Sequence, residues 1–338
     1  MLTVAINGFG RIGRRVFRLI QEHKNIKIVA INDLADARTL SHLLKYDSIH
    51  GVFKGEISHD ENSIIVNKIE IPLFNETHPK NINWKPFNPD FVIEATGKFK
   101  TSEALEFHLK NGGKRVILSV PPIDDAIKTI VIGTNEDTLD GTETIISNAS
   151  CTTNNAAPMI AIINKLCGIN QAYITTIHSY TTDQSLHDQP HRDLRRARAA
   201  GQSIVPTTTG AAKALTKIFP ELANVIGGCG IRVPVANGSL TDITFNVKKA
   251  ISIQAINTAF KNASENKYKG ILEYTEDPIV SIDIVGNPHS CIFDSQMTSV
   301  IGNMVKIIGW YDNETGYSNR IIDLIVNLSR THKLLSDK

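Results

Sequence analysis

Residues 2–33, LTVAINGFGRIGRRVFRLIQEHKNIKIVAIND, decide the fold of the chain. A run of apolar and β-branched residues, LTVAIN, is followed at once by GFGRIG at residues 8–13, which opens a helical pattern. A second apolar run, IKIVAIN, ends at Asp33, which comes 20 residues after Gly13. Strand, glycine-rich turn, helix, strand and acid in this order are the full context of a dinucleotide-binding βαβ unit.

Each part of this motif has a physical role in cofactor binding. Gly8, Gly10 and Gly13 permit the tight turn, the close approach of a pyrophosphate and the close packing of helix on strand. Free N–H groups at the helix start face the phosphates. Asp33 is expected to bond the 2′-hydroxyl of the adenine ribose, which favours NAD over NADP. A plain glycine-rich turn is the alternative, and a cofactor-sensing regulator would carry the same motif.

The pattern outside this stretch predicts an α/β chain of two domains. Short β-branched runs alternate with amphipathic stretches as far as residue 150, which is typical of a parallel sheet with crossover helices. The first helix is expected to bury one apolar face and to expose its arginines, Arg14, Arg15 and Arg18. A helix from about Cys151 to Cys167 is followed by period-two alternation at Ile243, Phe245 and Val247, which indicates an antiparallel sheet.

We therefore expect a Rossmann dinucleotide-binding domain at residues 1–150, completed by a C-terminal helix at 315–338. Residues 151–314 are expected to form an α+β catalytic domain with a mostly antiparallel sheet. The loop at residues 180–206 is long, polar and rich in arginine, and a loop of that length is usually functional or buried against a partner.

Composition excludes several classes of protein. The 36 basic and 34 acidic residues are mixed along the chain and give a net charge of +2, which argues against nucleic-acid binding. The N-terminus lacks a signal-peptide pattern and no 18-residue apolar run follows, so we expect a cytoplasmic protein without a membrane partner. The four cysteines are widely spaced, with no CxxC pair, so neither a disulfide framework nor a metal site is expected.

Cys151 is the candidate nucleophile. It follows a strand pattern and small hydrogen-bonding residues and begins an apolar helix, so its thiolate is expected to be stabilised by the helix N-terminus, where free N–H groups can also hold an oxyanion. Cys167, Cys229 and Cys291 are expected to be buried structural cysteines. A thiol that must pass a hydride to a cofactor also needs a base, and His178 is the best candidate. From the residues alone, a structural role for this histidine remains the alternative.

Nine strings in order along the chain carry a resemblance to a known family. INGFGRIGR, INDL, LLKYDSIHG, SNASCTTN, HSYTTDQ, DLRRARAA, PTTTGAAKA, RVPVANGSLTD and WYDNETGYSNR together closely resemble the glyceraldehyde-3-phosphate dehydrogenase family, over nearly the whole chain. SNASCTTN and PTTTGAAKA are the most specific of them. The resemblance implies Cys151 as the nucleophile and His178 as the base that also steadies the developing oxyanion.

The resemblance also implies positions for the ligands. The substrate phosphate would lie near Thr181, Asp183 and Arg232; inorganic phosphate would lie near Ser150, Thr152, Thr209 and Gly210, with Arg196 assisting. The cofactor NAD would meet Arg11 and Ile12 at the pyrophosphate, Ser119 near the nicotinamide, Asn313 at the carboxamide and Tyr317 beside the ring. The loop at 180–206 resembles a segment at the core of a homotetramer.

The implied reaction is the oxidation and phosphorylation of D-glyceraldehyde 3-phosphate to 1,3-bisphosphoglycerate, through a cysteine hemithioacetal and thioester, in glycolysis or gluconeogenesis. An erythrose-4-phosphate dehydrogenase and a non-catalytic NAD-responsive binding protein are the alternatives. Three positions depart from the family pattern. Asn155 replaces a second cysteine, Thr77 stands where an arginine is usual beside the adenine, and Gln189 replaces a frequent leucine, which makes strict NAD preference less secure.

Overall fold

The chain forms two compact units in this computed structural model, which describes residues 1–336, with side chains as far as residue 330. The first unit contains Met1–Ile130, Asp137–Ala149 and the chain from Ser318 onward. The second contains Val131–Glu136 and Ser150–Tyr317.

The first unit is built on a nine-stranded sheet. The strands of this unit, nine of them in the sheet and β3 and β4 outside it, are β1 (Leu2–Asn7), β2 (Ile26–Asn32), β3 (Tyr46–Asp47), β4 (Gly51–Val52), β5 (Ile57–His59), β6 (Ser63–Val66), β7 (Ile69–Phe74), β8 (Phe91–Glu94), β9 (Val116–Leu118), β10 (Lys128–Thr129) and β11 (Ile145–Ser147). Its helices before residue 150 are α1 (Arg11–Ile20), α2 (Ala37–Lys45) and α3 (Ser102–Lys110), with short 3-10 turns at Pro79–Asn81 and Glu136–Thr138.

Strand order in this sheet is β10-β11-β9-β8-β1-β2-β7-β6-β5. Pairing is parallel from β10 to β7 and antiparallel from β7 to β5, while β3 and β4 form a separate ribbon. β1 lies in the middle of the sheet. Its consecutive residues Val4, Ala5 and Ile6 point to alternate faces and are all fully buried, so both faces of the strand are covered. The expected Rossmann arrangement is confirmed, although the apolar run TIVIGT at residues 129–134 contributes only Thr129 to a strand, β10.

The expectation that the arginines of α1 face outward is wrong for two of them. Val16, Leu19 and Ile20 are buried as expected, but so are Arg14 and Arg18. Arg14 Nη1 donates to the carbonyl of Phe9 at 2.7 Å, and Arg18 donates to the carbonyls of Leu44 and Gly51. Carbonyl groups at turns and helix ends lack backbone partners, so the guanidinium groups are hydrogen-bonded although they are buried.

The second unit places helices on a seven-stranded sheet. In chain order it contains α4 (Cys151–Cys167), β12 (Ile169–Ser179), β13 (Val205–Thr207), α5 (Ala211–Ile218), β14 (Ile226–Val233), β15 (Ser239–Val247), α6 (Ile253–Glu265), β16 (Leu272–Thr275), β17 (Cys291–Ile301) and β18 (Met304–Tyr311), with 3-10 turns at Ala200–Gln202 and Pro220–Leu222. α7 (Thr315–Ser336) begins in this unit and continues in the first.

The second sheet is mostly antiparallel, as expected. Its order is β13-β14-β12-β15-β18-β17-β16, and only the pairs β12–β14 and β16–β17 are parallel. Ile243, Phe245 and Val247 on β15 are fully buried, which confirms the alternation seen in the sequence. α4 begins and ends at the expected residues and buries Met159 and Ile163.

Two details differ from the expected domain boundaries. Val131–Glu136 belongs to the second unit because Gly133 lies directly against the side chains of Tyr268 and Ile271. The first turn of α7 also belongs to the second unit, since the carboxylate of Asp312 accepts the N–H of Thr315 at 2.8 Å. Residues 337 and 338 of the expected C-terminal helix lie outside the described residues. None of the described helices combines the length and apolar character needed to cross a bilayer.

Candidate active site and cofactor pocket

The N-terminus of α4 carries the candidate nucleophile. Ser150 is the N-cap, and its Oγ accepts the backbone N–H of Thr153 at 3.1 Å. Cys151 is therefore the first helical residue, where backbone N–H groups have no partner within the helix. Cys151 is half-buried, whereas Cys167 and Cys291 are buried as expected. Cys229 is only half-buried, so its expected complete burial is wrong.

His178 lies beside this thiol. On β12, Ile174, Thr176 and His178 share one buried face because alternate residues of a strand point the same way. His178 Nε2 is 3.4 Å from Cys151 Sγ, and His178 Nδ1 is 2.8 Å from the carbonyl oxygen of Ser179. The structure thus brings together the two residues proposed for catalysis.

Arg232 contacts the far side of the imidazole. It is the register partner of His178 on β14, and its Nη1 donates to His178 Nδ1 and to the Ser179 carbonyl. A guanidinium only donates, so here the Nδ1 lone pair faces Arg232 and the ring proton lies on Nε2, toward Sγ. Burial, followed by the charge of Arg232, lowers the pKa of His178 to about 3, so the imidazole is neutral at neutral pH.

The pKa of Cys151 moves against the sequence-based expectation. Burial raises the pKa of the thiol, and this outweighs the charge of Arg232 and the backbone N–H groups of Thr152 and Cys151, which lower it. The helix N-terminus acts in the expected direction, but its stabilisation of the thiolate is not the dominant effect. Without substrate the thiol keeps its proton, so a neighbouring base is required for attack on a carbonyl carbon.

Tyr311 is a member of this cluster that the sequence analysis missed. Its hydroxyl lies 2.9 Å from the hydroxyls of both Thr152 and Thr176, and its ring meets the His178 ring edge-on at 5.9 Å. The phenol therefore fixes the start of α4 and the end of β12 relative to each other. The available signal was its position in the string WYDNETGY, two residues before Asn313.

Asn313, expected at the nicotinamide carboxamide, is buried and held in one orientation. Its Oδ1 accepts hydrogen bonds from Ser179 Oγ at 2.9 Å and Ser239 Oγ at 3.0 Å. Tyr317 is buried in the same unit. Ser119 is buried in the first unit, where its N–H donates to the carbonyl of Glu94. The ligand roles of these three residues stay predictions.

The residues expected to bind anions form separate groups. Arg196 pairs with Asp183 and also donates to Thr207 Oγ1, so in the absence of ligand Asp183 is held by a cation of the same loop. The carbonyl oxygen of Thr181 accepts the N–H of Gln184 at 2.9 Å. Gly210 is the N-cap of α5, and a side chain there would meet no atom within 4 Å, so the helix start is open to a small anion. Thr209 Oγ1 already accepts the N–H of Ala211.

Asn155, which stands where a second cysteine was expected, bonds α4 to backbone carbonyl groups of other segments of the second unit. Its side chain is fully buried one turn after Cys151. Its Nδ2 lies 3.2 Å from the carbonyl oxygens of Ser290 and Trp310 and 3.3 Å from that of Gly309. An amide donor among three carbonyls holds this turn of the helix, which a thiol could do only weakly.

The glycine motif forms a cradle in the first unit. Gly8 has φ of +94°, and a Cβ on it would lie 2.6 Å from the backbone nitrogen of Thr96. A Cβ on Gly13 would lie 2.2 Å from the carbonyl oxygen of Gly8, whereas one on Gly10 would meet no atom within 4 Å. The N-cap Gly10 provides no side chain at the start of α1, and a helix N-terminus attracts an anion such as a pyrophosphate.

A cavity of about 220 Å³ adjoins this cradle. Its lining includes Gly8, Gly10, Asp33 and Thr77, a position for which no role was expected. The Asp33 carboxylate accepts the N–H of Phe9 at 2.7 Å and that of Ala35 at 3.1 Å. Two oxygens offer about four acceptor positions, so capacity for a ribose hydroxyl remains. The residues present therefore fit NAD.

Arg11 and Ile12 form the start of α1, as the motif predicts. Arg11 is held by Asp47, with N–O distances of 2.7 and 3.1 Å. Burial tends to raise the pKa of Asp47, but hydrogen bonds from the His50 N–H and from Arg11 hold it at about 2. The guanidinium is thus fixed by an anion of the protein, and the backbone of Arg11 and Ile12 is the part oriented for phosphate. Among the described residues, no three of His, Cys, Asp and Glu gather as a metal site would require.

Comparison with known proteins agrees with both halves of this description. Residues 2–102 match the family described as glyceraldehyde 3-phosphate dehydrogenase, NAD binding domain. Residues 150–313 match the family described as glyceraldehyde 3-phosphate dehydrogenase, C-terminal domain. Together the two matches account for most of the chain, including the glycine motif, Cys151 and His178.

Full-length relatives have the same name. Glyceraldehyde-3-phosphate dehydrogenase of Thermotoga maritima is 52% identical over 96% of this chain and 98% of its own. Glyceraldehyde-3-phosphate dehydrogenase 2 of Streptomyces avermitilis is 51% identical with the same coverage. Glyceraldehyde-3-phosphate dehydrogenase 2 of Bacillus subtilis is 46% identical over 98% of both chains.

The geometry of the glycine cradle predicts that one glycine substitution lowers stability and that another weakens NAD binding. Gly13→Ala forces a methyl group onto the Gly8 carbonyl and should lower the free energy of unfolding by about 1–3 kcal/mol. Gly10→Ala should change it by less than about 1 kcal/mol but weaken NAD binding, since its methyl group occupies the open space before α1. Urea unfolding and NAD titration of both variants check this. Equal stability losses, with NAD affinity retained in Gly10→Ala, would contradict the geometry.

The electrostatics of Cys151 predict the effect of removing Arg232. Because the Arg232 charge lowers the pKa of the thiol, Arg232→Gln should raise it, and alkylation of Cys151 by iodoacetamide should need a higher pH. His178 is neutral over the alkaline range and does not offset the change. Arg232→Lys keeps the charge and is the matched control. Peptide mass spectrometry separates Cys151 from the half-buried Cys229, and an unchanged pH profile in Arg232→Gln would be the contrary result.

Proposed function

The chain belongs to the glyceraldehyde-3-phosphate dehydrogenase family, and we propose on this premise that it converts D-glyceraldehyde 3-phosphate to 1,3-bisphosphoglycerate, with NAD and inorganic phosphate, as a glycolytic enzyme. The observation that carries the proposal is the 3.4 Å contact of Cys151 Sγ with His178 Nε2 at a helix N-terminus. It occurs in a chain whose other unit has a cradle for NAD. NAD, when bound, supplies the nicotinamide carbon that accepts a hydride.

The first step is addition of the Cys151 thiol to the aldehyde. Sγ bonds to the carbonyl carbon as the thiol proton passes through His178 Nε2 to the carbonyl oxygen, giving a hemithioacetal. This requires the ring proton to lie on Nδ1, toward the Ser179 carbonyl, which becomes possible when Arg232 leaves Nδ1 for the substrate phosphate. The free N–H groups at the start of α4 are suited to stabilise the oxygen while it carries negative charge. Because the thiol is protonated without substrate, His178 is needed in this step as well as in the next.

The second step oxidises the hemithioacetal to a thioester. With NAD bound, the cofactor would accept the hydride from this carbon, and His178 Nε2 would take the hydroxyl proton. A proton on both ring nitrogens requires Nδ1 to donate, and the Ser179 carbonyl at 2.8 Å accepts that hydrogen bond. Arg232 occupies Nδ1 in the absence of ligand, so its attraction to the substrate phosphate would free the imidazole to act as a base.

The third step releases the acyl group. Inorganic phosphate attacks the thioester carbon, the Cys151 thiolate leaves, and His178 returns the proton to sulfur. In this proposal Ser150, Thr152, Thr209 and Gly210 hold the attacking phosphate, and the open N-terminus of α5 supports that assignment. Thr181, Asp183 and Arg232 hold the substrate phosphate, and Arg196 assists in holding the attacking phosphate. When an anion binds, Arg196 can leave its ion pair with Asp183 and contact the anion instead.

We also propose a cytoplasmic homotetramer, with the loop at residues 180–206 buried against other copies. Two leucines of this loop are largely exposed in the single chain, Leu186 at 79% and Leu194 at 83%. On the second sheet, Tyr173 and Met304 are also about half exposed. Exposed apolar groups of this size are typical of surfaces that are covered in an assembly.

The reaction is tested by NADH formation from glyceraldehyde 3-phosphate with and without inorganic phosphate. With phosphate, turnover should be continuous; without it, NADH should appear as a burst of about one equivalent per chain, because the thioester accumulates. NADP in place of NAD tests the cofactor preference.

Cys151→Ser is the matched variant in this assay, and its rate should fall by at least about three orders of magnitude. Near-normal turnover by this variant would rule out the covalent path. Rates independent of phosphate, with erythrose 4-phosphate preferred, would favour hydrolytic release instead. Absence of any burst in the wild type would favour a binding protein.

The assembly predicts a mass of about 149 kDa by light scattering, four times the 37.2 kDa of one chain. Leu194→Asp should lower this mass, since a carboxylate in a buried apolar contact is strongly disfavoured. Leu34→Asp, at a half-exposed position of the first unit, serves as a control for added charge. A wild-type mass of about 37 kDa would contradict the proposal.

A further inference from the structure

A buried carboxylate lies at the tips of three strands in the first unit. Glu94, the last residue of β8, is fully buried, and its carboxylate acts only as a hydrogen-bond acceptor. Oε2 accepts Asn7 Nδ2 at 2.5 Å and faces His108 Nε2 at 3.1 Å. Oε1 accepts the N–H of Thr96 at 2.9 Å and also its hydroxyl. Four donors fill the acceptor positions of one carboxylate.

The direction of these hydrogen bonds is fixed at one end by Trp84. Its indole N–H, which can only donate, lies 3.0 Å from His108 Nδ1. Nδ1 must therefore carry the lone pair, so the ring proton lies on Nε2 and points at Glu94. Trp84 and His108 are both fully buried, so neither can turn to water for a different partner.

The other end is fixed by the peptide backbone of Glu76. Asn32 Oδ1 accepts the Glu76 N–H at 2.8 Å, and Asn32 Nδ2 donates to the Glu76 carbonyl at 3.0 Å. This sets the amide orientation of Asn32, whose Nδ2 also donates to Asn7 Oδ1 at 2.8 Å. Asn7 must in turn present its NH2 group to Glu94. Because both ends of this series of hydrogen bonds are fixed, the direction of the bonds cannot reverse. The side chain at position 94 must therefore act only as an acceptor.

Part of this network lines the cofactor pocket, whereas its central carboxylate lies behind the pocket wall. Asn7, Asn32, Glu76 and Thr96 line the cavity beside the glycine cradle, but Glu94 does not. Asn32 also precedes Asp33, the expected partner of the adenine ribose. The carboxylate of Glu94 therefore supports the wall of the pocket from behind, on β1, β2 and the residues after β8.

We propose that Glu94 is a positioning residue for NAD: its buried carboxylate holds Asn7, Asn32 and Thr96 in the geometry that binds the cofactor. Glutamine has the same shape but cannot replace it. With its oxygen toward Asn7 and His108, its NH2 group meets the N–H of Thr96. With the amide reversed, the NH2 group meets the donors of Asn7 and His108. In either arrangement at least one of the donors of Asn7, Thr96 and His108 is left without an acceptor. Asn7 and Thr96 line the pocket, and His108 lies behind them.

The test is the dissociation constant for NAD of the Glu94→Gln variant, measured by calorimetry in the absence of substrate. The inference predicts an increase of about tenfold or more, from the loss of a buried hydrogen bond at the pocket wall. Glu106→Gln is the matched control, because it makes the same chemical change at an exposed position on α3 and should stay within about twofold of the wild type.

A second readout separates positioning from general destabilisation. Alkylation of Cys151 without NAD reports on the second unit and should proceed at the wild-type rate in Glu94→Gln. A lower thermal midpoint with an unchanged NAD dissociation constant would show that Glu94 has only a structural role and would overturn the inference. A wild type that binds no NAD would overturn the cofactor assignment as well, so the two failures are distinguishable.

If Glu94→Gln does not fold, the wild-type protein still provides a test. Trp84 does not line the cavity, but it is linked to the pocket wall through His108 and Glu94. Its indole N–H resonance, assigned with Trp310→Phe, should shift when 15N-tryptophan-labelled protein is saturated with NAD. An indole resonance that does not respond would contradict the linkage.

Discussion

The approach of Cys151 Sγ to His178 Nε2, at 3.4 Å, is the interaction on which the rest of the account depends. It joins the first residue of α4 to the penultimate residue of β12, which lies between β14 and β15 in the sheet. Register with β14 then places Arg232 behind the imidazole, and the hydroxyl of Tyr311 ties Thr152 to Thr176. Thiol chemistry, proton transfer and anion binding are thus set by one strand and one helix terminus.

In each unit, a side chain that can only donate hydrogen bonds determines which ring nitrogen of a histidine carries the proton. In the second unit, the Arg232 guanidinium directs the proton of His178 to Nε2. In the first, the Trp84 indole does the same for His108, which then supports Glu94. The consequences differ, because the partner of His178 is expected to move to a substrate, whereas Trp84 is fixed in an apolar core with Ala5, Ile82 and Val92.

The sequence was sufficient for features that depend on local pattern. GFGRIG with Asp33 predicted the first unit, and the alternation at Ile243, Phe245 and Val247 predicted the second sheet. Features that depend on long-range partners were missed. Arg14 and Arg18 follow the pattern of surface residues, and only the fold supplies the carbonyl groups that bury them.

The same limit applied within the site. The string around Tyr311 indicated its closeness to Asn313, but not that its hydroxyl would meet two threonines from distant segments. The dominant effect of burial on the pKa of Cys151 could not be seen from its helix position. The most direct measurement of the central claim is mass spectrometry of peptides from enzyme quenched after mixing with glyceraldehyde 3-phosphate and NAD without phosphate. A phosphoglyceroyl thioester is expected on the peptide that contains Cys151, and it should be lost when phosphate is added. An acyl group on another residue, or none, would contradict the claim.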